Sequence, residues 1–332
     1  MDKTTDFQDI FQRKISDELS ELETQRQALV SYLKKLVSFA VGFFVVAFIS
    51  VQLLIHNAND KSFILILLAV GFVGTVLFLW TIKYTKYEER FKEVVISEIF
   101  RFIDKSLQYF PSHYVTEDKF IESSIFDTRP DRYGGSDLVS GRIGYTEIEF
   151  SLVHAEYEEE TISTDEDGHS QTDTYWVTIF EGIFIVADFN KHFSTHVLIL
   201  PGRTSKPSAN ILKYLGFSLA WKILFLEDPE FDKYFTAFGE DQIEARYILS
   251  TSLVKRIVEF RKRVKGDIYI SFKNSKIYVA IPTVFNFKPL AFESVINGKV
   301  LKRYYETLFM ITSIVEDLNL NTRIWSKQPN YL

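Results

Sequence analysis

Two groups of residues have side chains and spacing that could support chemistry. In the first, His154 and Glu156 lie two positions apart, hence on one face of a strand, and Asp188 and His192 follow the next strong strand. If these strands pair, the imidazoles and carboxylates could hold zinc or manganese, and a membrane-bound metal-dependent hydrolase is one hypothesis. Strand ends also carry such residues for turn hydrogen bonds, and this simpler interpretation is favoured.

The second group is a run of basic side chains in the segment "TSLVKRIVEFRKRVK", residues 251–265. Its members are Lys255, Arg256, Arg261, Lys262, Arg263 and Lys265, with Glu259 as the acidic exception. A helix here could lie against anionic lipid headgroups, or it could hold an anionic ligand such as a nucleotide in a sensor protein. The alternative of equal weight is a solvated helix end whose cations complement the helix dipole.

A third stretch, "LEDPEFDKYFTAFGEDQIEARYIL", residues 226–249, is rich in carboxylates. Asp228 before Pro229 is typical of a helix start, and Asp241 followed three residues later by Glu244 fits a capping box. The acids are therefore interpreted mainly as helix caps. A functional pair of Glu244 and Arg246 is the lesser alternative, and no residue is assigned a catalytic role.

Other binding motifs are incomplete. In the acidic loop 158–173, Asp165, Asp167 and Gly168 match the middle of a calcium-binding EF-hand loop, but Ser163 and Thr174 occupy the positions of its strongest ligands. No phosphate-binding glycine loop or nucleophile elbow is found, the chain has no cysteine, and no cofactor is predicted. A net charge of -6 argues against a nucleic-acid partner.

Two uncharged runs near the beginning of the chain determine where these residues act. Residues 36–55 and 62–82 are each long enough to cross a bilayer, and the six residues between them require a helical hairpin. Lysine and arginine are concentrated at the outer ends of the two runs, at Lys34, Lys35, Lys83, Lys86, Arg90 and Lys92. This asymmetry predicts an integral membrane protein with both termini and the main domain in the cytoplasm.

The flanking segments, 1–35 and 83–110, are predicted to form an amphipathic stalk. Leucine and isoleucine recur at steps of four and three residues before the first span and would form an apolar stripe along a helix. Arg26 is the one polar residue in this stripe. The two stalk helices could pair with each other or, in a homo-oligomer, with a second copy through stalk and spans.

Residues 111–332 are predicted to form an α+β domain, a mostly antiparallel sheet or partly closed barrel with flanking helices. Long strands are expected at 144–157 and 175–189, shorter ones at 196–200 and 234–238, and a hairpin at 267–281. Helices are expected at 208–217, at 252–264 and from Gly298 onward. The segment "RYGGSDLVSGRIG" is interpreted as a flexible connection.

The acid-rich stretch, together with "FEGIFIVADFNKHF" and the preceding "HAEY", resembles the bacterial family catalogued as domain of unknown function 3137. The resemblance covers residues from Phe7 onward and is most specific between His154 and Val258. It implies a bacterial inner-membrane protein with two spans and a cytoplasmic domain, but it implies no activity. The leading hypothesis is therefore a non-enzymatic, membrane-tethered binding or scaffold module.

Overall fold

The computed structural model describes residues 14–54, 58–164, 170–189, 191–202, 221–283 and 285–320. The chain divides into two compact units. The helical unit comprises residues 1–99 and 287–306, and the sheet unit comprises residues 100–286 and 307–332. Residues 287–306 thus group with the N-terminal helices, although they follow the sheet strands in sequence.

The helical unit is built on two long helices, α1 (Ser16–Leu54) and α2 (Ala58–Phe91). Their apolar runs meet through aromatic contacts such as Phe43 with Phe72, whose ring centroids are 5.2 Å apart. Of the most apolar stretch of each helix, only 6% and 0% of the residues are buried. A core helix of a soluble protein would be mostly buried. The structure therefore contains two helices that are long and apolar enough to cross a membrane and that expose this apolar surface.

The predicted stripe before the first span is buried within one chain. Ile15, Leu19, Leu22 and Leu29 are each 4% exposed or less. Arg26, the polar member of the stripe, pairs with Glu23 at 2.6 Å and donates a hydrogen bond of 3.1 Å to the Ala291 carbonyl. A coiled coil with a second copy stays a prediction.

After α2 the helix contains a π-helical turn, Lys92–Ile96, and then continues as α3 (Ser97–Ile103). The wider turn rotates the apolar face relative to a regular helix. Ile96 is therefore fully buried, whereas Val94, which regular helical spacing predicts at the interface, is only partly buried. The helix also ends at Ile103, before the predicted end at residue 110.

A polar clasp, residues 287–297, holds the later part of the helical unit against α1 and α2. The Glu23 carboxylate accepts from the Ser294 hydroxyl at 3.0 Å and from the Val295 amide at 3.2 Å. The Tyr84 hydroxyl donates to the Pro289 carbonyl at 2.7 Å. Hydrogen bonds from both long helices therefore fix the clasp, and α7 (Gly298–Thr312) follows it.

In the described part of the sheet unit, nine strands form one open antiparallel sheet rather than a barrel, in the order β1-β2-β3-β4-β9-β8-β5-β7-β6. The strands are β1 (Gln108–Phe110), β2 (Arg132–Ile143), β3 (Thr146–Thr164), β4 (Ser170–Asp188), β5 (Val197–Pro201), β6 (Lys222–Leu224), β7 (Phe235–Gly239), β8 (Tyr269–Lys273) and β9 (Lys276–Pro282). The α+β prediction is confirmed, including the strands expected from alternating or β-branched residues.

In the part of the sheet unit that the structure describes, the helices are short, with one exception of 14 residues. They are α4 (Glu117–Glu122), α5 (Gln242–Ile248), α6 (Thr251–Val264) and α8 (Ile314–Asp317). On one face of the sheet, Phe120 of α4 packs against Phe184 with ring centroids 5.2 Å apart, in a cluster with Phe126 and Tyr278. The helix predicted at 208–217 lies outside the described residues.

The glycine-rich segment interpreted as a flexible connection is in fact strand β2, so that interpretation is wrong. β2 pairs with β3 along most of its length, with an irregularity between Ser136 and Val139. At Gly135 a Cβ atom would lie 2.1 Å from the Leu152 carbonyl oxygen, and at Gly141 it would lie 2.4 Å from the Ser106 carbonyl oxygen. These glycines therefore permit close backbone packing within a strand.

Candidate functional site

The four residues of the metal hypothesis do not come together. His154 and Glu156 are neighbours on β3, with 3.4 Å between Nε2 and Oε1. His154 is opposite Glu181 on β4, and Asp188 lies seven residues further along that strand, or about 23 Å away. His192 follows β4 and contacts Ser275 at 3.5 Å. Across the described ranges, no cluster of three or more histidines, aspartates or glutamates is arranged to hold a metal ion.

Five of the basic residues predicted to bind an anion lie on α6 and the sixth, Lys265, directly follows it; four of the six have partners inside the sheet unit. Arg256 donates to the Asp317 carbonyl at 3.2 Å, and Arg263 pairs with the Asp317 carboxylate at 2.5 Å. The remaining two pairs are Arg261 with Asp267 at 3.2 Å and Lys262 with Glu230 at 2.5 Å. Lys255 lies in the first half of α6 and Lys265 is the residue that follows its last turn, so about 15 Å of helix separates them. The structure thus disperses this charge instead of focusing it.

The acid-rich stretch caps helices, as its sequence predicts. Asp228 accepts from the amides of Glu230 at 2.9 Å and Phe231 at 3.1 Å, at the start of a 3-10 turn. Asp241 accepts from the amides of Ile243 at 2.7 Å and Glu244 at 3.1 Å, at the start of α5. These carboxylates satisfy amides that have no partner within the helix.

Glu244 does not complete the capping box. Its carboxylate instead accepts from the Ser194 amide at 2.8 Å and the Thr195 amide at 3.0 Å, in the segment before β5. It therefore links α5 to the sheet. Arg246 is exposed and lines a separate pocket of about 360 Å³ with Glu227 and Asp228. The suggested pair of Glu244 and Arg246 is not formed, because these side chains have different surroundings.

A charged groove of about 530 Å³ lies at one end of the sheet in the described part of the sheet unit. It is lined by Ser106, Lys119, Ser140, Gly141, Arg142, Glu147, Ile148, Glu149, Val186, Ala187, Asp188 and Lys276. Strand register explains the composition, because Arg142 is opposite Glu147 and Asp188 is opposite Lys276 on neighbouring strands. Side chains in such pairs share one face of the sheet.

Ion pairs hold the walls of the charged groove. Lys119 of α4 contacts Glu149 at 2.5 Å, and Arg142 contacts Glu147 at 2.6 Å. Lys276 lies 4.0 Å from Glu122, at the edge of ion-pair distance. The first pair is partly shielded, whereas the second is well exposed and therefore open to competition by a charged ligand.

Glu122 is also held by neutral groups beside the groove. Asn274 donates to its carboxylate at 2.9 Å, and this hydrogen bond is the main cause of a lowered Glu122 pKa. Burial is the main reason that the pKa of nearby Tyr278 is raised. Glu122 therefore stays ionised and Tyr278 stays protonated at neutral pH, which keeps the charge pattern of this region constant.

The charged groove offers side chains that could recognise a charged ligand. Its lining residues supply ammonium, guanidinium, carboxylate and hydroxyl groups, with no imidazole among those described. Both signs of charge are present, so a ligand carrying both signs would be the best complement. Sequence reasoning missed this groove, apart from Asp188, because its residues come from four strands, one helix and the turn at Ser106. The one sequence signal is the alternation of charged residues at the start of β3.

The sequence model of a family described as "Protein of unknown function (DUF3137)" matches residues 178–320, from β4 to the end of the described chain. Residues 178–320 are therefore similar to this family, as the resemblance predicted. No curated protein matches the chain. A solved structure, the crystal structure of the mycobacterial trehalose monomycolate transport factor A, TtfA, aligns over 70% of this chain and 98% of that one, with 11% identity and a TM-score of 0.31.

Proposed function

We propose that this protein is a membrane-anchored, non-enzymatic binding module that presents its sheet unit on the cytoplasmic side of a bacterial inner membrane. The observation that carries the proposal is the pair of long helices whose apolar stretches are almost wholly exposed. In water, so large an apolar surface would be strongly unfavourable, whereas a bilayer covers it. Lipid around the hairpin would therefore cover the apolar surface that the described residues leave exposed.

The charge around the hairpin supports the proposed orientation. Four basic residues follow the second apolar run and two precede the first, against Lys61 in the connection. Basic residues are retained on the cytoplasmic side, so both ends of the hairpin and the sheet unit are assigned there.

The charged groove is the surface that we assign to ligand binding. Its volume is about 530 Å³, and its lining has three cations and three carboxylates. Two of the cations form close ion pairs with two of the carboxylates, Lys119 with Glu149 and Arg142 with Glu147. The ligand would be a polar metabolite or peptide segment that carries both signs of charge. A scaffold role would use the same groove with a protein segment as the ligand.

Membrane anchoring is tested by extracting cell membranes with alkaline carbonate. We expect the full chain to stay in the pellet, because peripheral proteins are released and integral ones are retained. Release into the supernatant would contradict the anchoring.

Binding at the groove is tested by purifying the full chain from membranes under mild conditions and identifying co-purifying metabolites and peptides by mass spectrometry. Lys119→Gln/Lys276→Gln should lose them, whereas the control Lys105→Gln/Lys222→Gln, with the same charge change at exposed positions outside the groove, should keep them. Recovery of the same molecules with both double variants would reject the groove as the site.

The two alternative functions remain predictions with tests of their own. Stoichiometric metal in the purified protein would favour the hydrolase hypothesis that involves His154, Glu156, Asp188 and His192. A rise in thermal midpoint with nucleotides, abolished by Arg261→Gln, would favour the sensor hypothesis, since a ligand that binds only the folded state must stabilise it.

A further inference from the structure

A second groove, of about 460 Å³, lies on the helical unit between α1 and α2. We call it the basic groove. It is lined by Gln25, Ala28, Leu29, Tyr32, Lys83, Lys86, Tyr87 and Arg90. Three of these residues are cations and none is acidic, which distinguishes it from the charged groove with its mixed signs.

The cations of the basic groove lie at the level of lipid headgroups if the hairpin spans a membrane as proposed above. Lys83 directly follows Ile82, the last residue of the second apolar run. At 1.5 Å per residue, Lys83, Lys86 and Arg90 lie about 1.5, 6 and 12 Å beyond the end of this run. The headgroup layer beside each face of the hydrocarbon core is about 5–8 Å thick. Lys83 and Lys86 therefore fall within the layer that contains the lipid phosphates.

The lysines of the groove are available to a ligand. Lys83 lies over the Tyr32 ring, 4.7 Å from its centroid, which positions the ammonium group without neutralising it. Lys86 is exposed, and no carboxylate in the described ranges pairs with it. Arg90 pairs with Glu93 at 3.7 Å, and both side chains are well exposed, so this contact is easily exchanged for another anion.

The rest of the lining suits the part of a lipid beneath its phosphate. Ala28 and the partly exposed Tyr32 ring supply apolar surface, whereas Leu29 and Tyr87, each 4% exposed, contribute little accessible surface. Tyrosine rings are common at the membrane interface because one end is apolar and the other is polar. A small soluble anion would use the lysines but would leave this apolar surface uncovered.

We propose that the basic groove binds the phosphate-bearing headgroup of an anionic membrane lipid. The lysine ammonium groups contact the phosphate, and the glycerol region lies along Ala28 and the Tyr32 ring. This inference rests on the proposed membrane insertion. It differs from the α6 hypothesis, whose basic side chains are mostly paired within the sheet unit.

The test compares two double variants of the full chain. Lys83→Gln/Lys86→Gln removes two charges inside the groove. Lys34→Gln/Lys35→Gln removes two exposed charges beside the first span, which do not line the groove. Each protein is reconstituted in nanodiscs of phosphatidylcholine with added phosphatidylglycerol, and native mass spectrometry measures the phosphatidylglycerol retained on the released protein.

We expect the wild type and Lys34→Gln/Lys35→Gln to retain phosphatidylglycerol in preference to phosphatidylcholine. Lys83→Gln/Lys86→Gln should retain it roughly tenfold less, because this variant lacks the two ammonium groups that contact the lipid phosphate. Equal weakening in both double variants would indicate diffuse surface charge and would overturn the proposal. Competition by soluble glycerol phosphate at the same concentration would assign the groove to a free phosphoryl ligand and would overturn it as well.

Alkaline carbonate extraction of the same three proteins separates this inference from the proposed function. Release of the wild type from the membrane would reject the anchoring on which both depend. Retention of all three proteins without any preference for phosphatidylglycerol would reject the lipid site alone. Circular dichroism of each variant checks that its helix content is unchanged.

Discussion

His196 shows how strongly burial can control a single titratable group in the sheet unit. It is 6% exposed, its Nε2 atom lies 2.8 Å from the Ser271 hydroxyl, and its ring packs against Trp221. Burial, with a smaller contribution from the charge of Lys273, lowers its pKa from 6.5 to about 3. The imidazole is therefore neutral at physiological pH, and its role is structural.

His196→Gln should make the free energy of unfolding depend less on pH between about pH 3 and pH 6.5. In the wild type the unfolded chain binds a proton near pH 6.5, but the folded chain does so only near pH 3. The contribution of this group is therefore complete above pH 6.5 and is lost as pH falls toward 3, by at most about 1.4 kcal/mol per pH unit. Hydrogen exchange of β5 and β8 against pH measures this slope. The control His192→Gln, at an exposed position, should keep the wild-type slope; an unchanged slope in His196→Gln would contradict the assignment.

Glu23→Gln should loosen the clasp. The Arg26 hydrogen bond is the main reason that the pKa of Glu23 is lowered to about 2, and the Glu23 side chain is 10% exposed. Because the variant leaves a buried arginine without its carboxylate, we expect a loss of about 2 kcal/mol. The Ser294 and Val295 amides should then exchange roughly 30-fold faster.

The same measurement tests the pH dependence of the clasp. A lowered carboxyl pKa stabilises the fold above the ordinary value of 4.5, and this contribution is lost as pH falls toward 2. Glu18→Gln, at an exposed position on the same helix, should leave the exchange of the clasp amides unchanged. Equal exchange rates in the Glu23 and Glu18 variants would show that the clasp does not depend on this carboxylate.

At the scale of elements, local patterns predicted β3, β4 and the β8–β9 hairpin because alternating or β-branched residues determine a strand within a few positions. β2 was missed because several glycines in a short segment are typical of a loop. These glycines are needed because backbone atoms of neighbouring segments pack against them, and the sequence does not show this contact. The Asp241 cap was predictable because its partners are two and three residues away. The hydrogen bond that the Thr195 amide donates to Glu244 was not predictable, since 49 positions separate the partners.

Adjacent glycines of β2 provide a matched pair of variants. A Cβ at Gly135 would lie 2.1 Å from the Leu152 carbonyl oxygen and 2.9 Å from Tyr114 Cβ, whereas a Cβ at Gly134 meets nothing within 4 Å. Gly135→Ala should therefore cost about 1–3 kcal/mol by forcing β2 away from β3. Gly134→Ala should change stability by less than about 0.5 kcal/mol. Thermal unfolding of the two full-length variants under identical conditions measures the difference, and equal midpoints would contradict close packing at Gly135.

At the scale of the whole molecule, composition predicted the two long apolar helices because twenty uncharged residues suffice to identify such a segment. The grouping of residues 287–306 with those helices was not predictable, since it depends on bonds such as the one from Tyr84 to Pro289. Both grooves escaped sequence reasoning for a similar reason: each is lined by side chains that are distant in sequence. Surface sites are therefore less predictable than the elements that carry them.

The orientation of the chain can be tested by single-cysteine labelling, because the natural sequence has no cysteine. Asn59→Cys places a thiol in the connection between the two apolar runs, and Glu240→Cys places one at an exposed position of the sheet unit. If basic residues retain the ends of the hairpin in the cytoplasm, a membrane-impermeant maleimide should label Asn59→Cys in spheroplasts. It should label Glu240→Cys only after detergent permeabilisation. Labelling of Glu240→Cys in sealed spheroplasts would place the sheet unit outside the cell and would reverse the proposed topology.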